Sequence, residues 1–132
     1  QPAHDAARFA LGQIALDESR FDDALAQARS IQRLNPRSAL GPILEGDVHM
    51  RGEDYERALA SYGEAHALTP GTRLVVAMMQ AEQALGRSDA ADARLRDWAE
   101  HHPDDREVRR LMDDLAKRDR KRRARPVPVA PQ

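Results

Sequence analysis

The feature of this 132-residue chain that most limits its fold is a recurrence every 34 positions. Leu34-Asn35-Pro36 returns as Leu68-Thr69-Pro70, Ala24-Leu25 as Ala58-Leu59, Gly12 as Gly46, and the aromatic Phe21 as Tyr55. A unit of this length has room for two helices and a turn. It cannot hide its apolar faces alone and must stack on its neighbours.

Composition agrees with helices and argues against a sheet. Hydrophobic residues make up 41%, but the only rings are Phe9, Phe21, Tyr55, Tyr62 and Trp98, and β-branched residues are scarce. The core must therefore be built from Ala and Leu, which suits close helix contacts. With no cysteine, disulfides and thiolate metal sites are excluded. No apolar run approaches the ~20 residues a bilayer-spanning helix needs. The chain starts at Gln1 without a signal-peptide pattern, and the expectation is a segment of a longer protein.

The repeated residues resemble the tetratricopeptide-repeat (TPR) family. The first repeat carries Leu11-Gly12, Ala24, Ala28 and Pro36, and the second Gly46, Ala58, Tyr62 and Pro70. Both depart from the pattern at its opening Trp slot (Arg8, Pro42) and at its first-helix Tyr slot (Ala15, His49). A third repeat is read with a slip: Leu85 stands where Leu16 and Met50 precede the turn, and Ala93 follows eight residues later, making the second step 35. Pro103 then comes early, leaving a shortened last helix with Leu95 and Trp98 as its core contacts. Val108, Leu111, Met112 and Leu115 form one apolar stripe on a final helix whose other faces are charged, as the end of a stack requires. The resemblance implies an all-α fold: a right-handed superhelical solenoid of antiparallel helix pairs. It spans repeats at 4–36, 37–70 and 71–103, a capping helix at 104–120, and a basic, proline-rich tail at 121–132.

Local signals place seven helices at 4–18, 21–34, 38–51, 54–68, 72–86, 88–101 and 104–120. Carboxylates at Asp22-Asp23, Glu53-Asp54, Asp89 and Asp104-Asp105 mark N-termini, where the helix dipole stabilises them. Ser38 and Thr72 are candidate N-caps, and Pro42 falls in a first turn. Gly12 and Gly46 are read as close-packing positions, Gly52 and Gly86 as turn residues.

No catalytic constellation is visible. Of the histidines His4, His49, His66, His101 and His102, no two are spaced three or four apart to form a two-His metal face. His101-His102 sits at a helix end, where imidazole favours the negative dipole terminus. Adjacent pairs such as Asp113-Asp114 point to different sides of a helix. There is no phosphate loop, nucleophile elbow or calcium loop. The expectation is a non-enzyme with no catalytic residues, metal ligands or cofactor.

In the TPR family the first helices of each repeat line a concave surface that holds a peptide or a partner's helix. Carried onto this chain, the groove positions are Phe9, Gln13 and Asp17; Ile43, Asp47, Met50 and Arg51; and Met78 and Glu82. The alternative is that Phe9, Ile43, Met50 and Met78 simply pack between repeats. Carboxylates at these slots would repel the C-terminal carboxylate that TPR co-chaperones hold with Lys, Arg and Asn. The expected partner is a protein segment that is apolar and basic at its contact.

Charge is unevenly placed. Residues 1–116 hold 14 basic and 21 acidic side chains, and residues 117–132 hold seven basic and one acidic. The run Lys117–Arg125 could be a patch for nucleic acid, anionic lipid or nuclear import. The favoured reading is a helix end stabilised by its dipole that passes into an extended proline linker. No aromatic residue accompanies the charges to stack on bases, so nucleic acid is not the expected partner. Finally, the phrase from Leu85-Gly86-Arg87 through Ala90-Ala91, Leu95, Trp98 and His102-Pro103-Asp104-Asp105 resembles later repeats of bacterial envelope TPR proteins that serve exopolysaccharide synthesis and export. That resemblance implies a periplasmic setting; a cytoplasmic TPR adaptor is the alternative.

Overall fold

The apolar positions at helical spacing do form helices. The computed structural model describes residues 2–131, which hold seven helices and no strand. They are α1 (Pro2–Asp17), α2 (Phe21–Leu34), α3 (Leu40–Arg51), α4 (Tyr55–Leu68), α5 (Thr72–Ala84), α6 (Ser88–His101) and α7 (Arg106–Ala124). The largest departure from the expected boundaries is α7, which begins two residues later and continues to Ala124 through the basic run. Arg, Lys and Ala are all good helix formers, so local propensity carries the helix past the point where packing ends.

Three turns share one geometry. After α1, Arg20 N–H donates to the Ala15 carbonyl (2.7 Å) and Ser19 N–H to Leu16 (2.9 Å). Asp54 and Glu53 repeat this on His49 and Met50, and Arg87 and Gly86 on Glu82 and Gln83. Each turn is a Schellman motif with its left-handed residue at Ser19 (φ 59), Glu53 (φ 59) or Gly86 (φ 76). The second turn is thus closed by Glu53, since Gly52 keeps φ −82.

These turns correct the register of the third unit. Ser19, Glu53 and Gly86 are separated by 34 and then 33 positions, a shortening where the sequence suggested a lengthening to 35. Ala91, fully buried as the fourth residue of α6, is the counterpart of Ala24 and Ala58, while Ala93 is exposed. With alanines at 90, 91 and 93, residue identity could not choose among them; the direction of the neighbouring helix does.

Three small cores stand in series. Ala15, Leu16, Ala24, Ala28, Leu44 and Val48 join α1, α2 and α3. Ala58, Tyr62, Ala65, Leu74 and Met78 join α4 and α5, with Ile43 and Met50 of α3 against them. Val75, Met79, Ala91, Leu95, Val108 and Leu115 join α5, α6 and α7. Helices pack chiefly on their sequence neighbours, with α1 also touching α3. Gly12 and Gly46 allow this closeness, because an added Cβ would collide with Leu44 and Tyr62 respectively.

The caps divide. Asp54 accepts from Arg57 N–H (3.3 Å), and Asp105 from Glu107 (2.9 Å) and Val108 (3.2 Å). Ser38 stands one residue before the N-cap position of α3, Ala39, and accepts from Leu40 N–H. Thr72 does not cap α5, whose N-cap is Gly71. Its hydroxyl donates to Asp105 (2.7 Å) and accepts from the Trp98 indole (2.9 Å), tying α5, α6 and α7 together.

Candidate functional site

A groove of three adjacent cavities lies along α1, α3 and α5. Its middle is a cavity of about 510 Å³ lined by Phe9 and Gln13 of α1, Leu40, Ile43 and Asp47 of α3, Tyr62 of α4, and Arg73, Leu74 and Ala77 of α5. Leu40, Ile43, Arg73 and Leu74 also line a second cavity of about 700 Å³ at the N-terminal ends of α3, α5 and α7. Gln13 and Asp47 continue into a third, of about 440 Å³, with Leu16, Met50 and Arg51. The hydrogen-bonded pair Gln13–Asp47 thus lines both the middle cavity and the third.

Asp47 sits at the centre of the groove. Its two carboxylate oxygens accept from Gln13 Nε2 (2.7 Å) and Tyr62 O–H (2.6 Å). Both donors are neutral, and Asp47 has no ion-pair partner among the described residues. Burial and the adjacent Asp47 carboxylate both push the Tyr62 phenol up, so it remains a donor. The cations of the groove behave differently. Arg51 pairs with Asp17 (3.3 Å) and donates to the Leu16 carbonyl, whereas Arg73 has no ion pair among the described residues.

Of the nine residues assigned to a groove from the sequence, six line these cavities. They are Phe9, Gln13, Ile43, Asp47, Met50 and Arg51, while Asp17 lines none of the three and is exposed, paired with Arg51. The packing alternative also has substance, since Phe9, Ile43 and Met50 are half-buried against the cores. Met78 and Glu82 lie elsewhere. Met78 is buried in the core with Tyr62 and Leu74, and Glu82 is buried on Arg94 of α6 (2.5 Å). The third unit shortens, so the positions matching Ile43 and Asp47 are Val76 and Gln80. An error of two residues turns a side chain about 200° around the helix and into the core. Sequence reasoning also missed Leu40, Arg73, Leu74 and Ala77, and a step of 33 does not supply the last two, because they then match Gly41 and Leu44 rather than groove positions.

Two other clusters lie outside the groove. Trp98 stacks on His102 (3.7 Å between centroids, 17°) and meets His66 edge-on (5.1 Å, 65°). His66 accepts from Gly71 N–H through Nδ1 (3.3 Å) and is held below the usual imidazole range by burial, then by Arg94 and His102. On the outer side of α6, ligand atoms of Asp97, Glu100 and His101 lie within 4.8 Å of one another, all three residues exposed. A search for paired histidines passes over this set. One face of one helix holding two solvated carboxylates is an ordinary wet surface, and it carries no argument for a metal.

No protein-family model matches the chain, and no curated protein matches it either.

Proposed function

We propose that the chain is a non-catalytic scaffold of the TPR kind that holds a segment of another protein along this groove. The observation supporting the reading is the row of adjacent cavities along α1, α3 and α5, with an apolar wall of Phe9, Ile43, Leu74 and Ala77 around a carboxylate that has no ion pair among the described residues. A partner segment with apolar side chains against that wall and a cation over Asp47 satisfies both. Ala77→Arg tests it, since Ala77 lines the cavity at its half-buried edge. Proteins retained by the wild-type chain should be lost from the variant at unchanged melting temperature. Undiminished retention would remove the groove from consideration.

The setting we propose is the bacterial envelope, in exopolysaccharide assembly or export, on the resemblance over residues 85–105 alone. The alternative, a cytoplasmic adaptor, draws on the cationic extension of α7, for which that resemblance has no counterpart. Fractionating cells that carry the tagged protein decides between them.

A further inference from the structure

We propose that the cationic end of α7, residues 117–125, docks on the phosphate backbone of double-stranded DNA. The inference is independent of the groove and belongs with the cytoplasmic setting. It starts from how the body of the protein sorts the charges of α7. Arg118 reaches back to the buried Asp92 of α6 (3.2 Å), and Asp119, the lone acid of the run, is taken by Arg96 (3.2 Å). These two pairs fix the helix to α6 at its base. Beyond them every described side chain is exposed. Lys117, Arg120, Lys121, Arg122, Arg123 and Arg125 remain with no ion pair among the described residues.

Favourable interaction with the helix dipole does not account for this set. That effect fades within the last turn, where Lys121, Arg122 and Arg123 stand, and gives Lys117 and Arg120 nothing. Like charges meet instead at three- and four-residue spacing: Lys117 with Arg120 and Lys121, and Arg120 with Arg123. Each such pair opposes the helix. A polyanion would relieve all of them at once.

The distribution of the charges selects which polyanion. At about 100° per residue the five of these cations that lie on α7 surround the helix, and Arg125 follows its end. A membrane-surface helix needs a segregated apolar face, and Ala124 is the only apolar residue from 117 to 125. Single strands are held by stacking on aromatic side chains, and the run has none. The major groove of B-DNA admits an α-helix and offers phosphates on both walls, so cations on all sides find partners. With Arg and Lys alone, contact is through the backbone and independent of base sequence.

The test is fluorescence anisotropy of a labelled mixed-sequence duplex of about 25 base pairs, titrated with the full chain from 50 to 200 mM salt. Six phosphate contacts give a slope of log K on log salt of about −5, or about a thousandfold loss across that range. The variant Arg120→Gln, Arg122→Gln, Arg123→Gln should roughly halve the slope while the melting temperature of the body stays unchanged. The proposal is overturned by no binding at 50 mM salt, or by a slope indifferent to the variant. It is equally overturned by tighter binding to a single-stranded oligonucleotide or to vesicles containing phosphatidylserine.

Discussion

His66 shows how one side chain couples packing to pH. Its Nδ1 must be unprotonated to accept from Gly71 N–H, and its ring edge lies on Trp98. Burial, Arg94 and His102 lower its pKa, so below about 6.5 the unfolded chain takes up a proton that the folded chain resists. Its contribution to stability is therefore present above pH 6.5 and lost as pH falls through the lowered folded value. Melting temperature should drop between pH 7.5 and 5.5 in the wild type, and His66→Gln should flatten that limb. An equal drop in the variant would assign it to another group. Glu53 gives a second expectation at this scale. It holds φ 59 at a position where Gly86 does the same work in the third unit. A side chain in the left-handed region costs roughly 1 kcal/mol that glycine avoids. Glu53→Gly should raise stability by about 0.5–1 kcal/mol in urea denaturation.

Among elements, the same substitution has opposite signs on two helices. In α1, a methyl group at Gly12 would enter the space filled by Leu44, a fully buried side chain. Gly12→Ala should cost about 1–3 kcal/mol by overpacking. In α4, a Cβ at Gly63 meets nothing within 4 Å, so Gly63→Ala should gain about 0.5–1 kcal/mol from helix propensity. Urea titration of the pair reads both. The contrast also shows what was legible from the sequence. Gly12 and Gly46 recur with the period, and their role as contact points follows from it. All seven helices were visible for the same reason, since apolar spacing and prolines mark them. The register of the third unit was not, because Ala90, Ala91 and Ala93 are equivalent by identity and differ only in which helix they face. That one ambiguity placed Met78 and Glu82 in the groove, whereas Leu74 and Ala77 line it from positions that no repeat match assigns to it. Thr72 was opaque for another reason. Its partners Trp98 and Asp105 are 26 and 33 residues away, and a cap is the only local role for a threonine there.

For the whole molecule, the serial arrangement of three small cores decides how a local defect spreads. Leu115 is buried with Val75, Met79, Leu95 and Val108, and none of these reaches the core that α1 and α2 build around Leu16 and Ala28. Truncating it removes contacts from α5, α6 and α7 alone. Leu115→Ala should cost about 2–4 kcal/mol where it acts. If stability is carried by neighbouring helices rather than by one shared core, the loss stays local. Hydrogen exchange would then accelerate at the amides of α6 and α7 while those of α1 and α2 keep their wild-type rates. The cationic extension of α7 supplies an internal control. Its amides beyond Arg120 are unsupported by packing and should exchange fast in both proteins. Uniform acceleration across all seven helices would mean that the chain opens as a single unit, and the description of three cores in series would have to be abandoned.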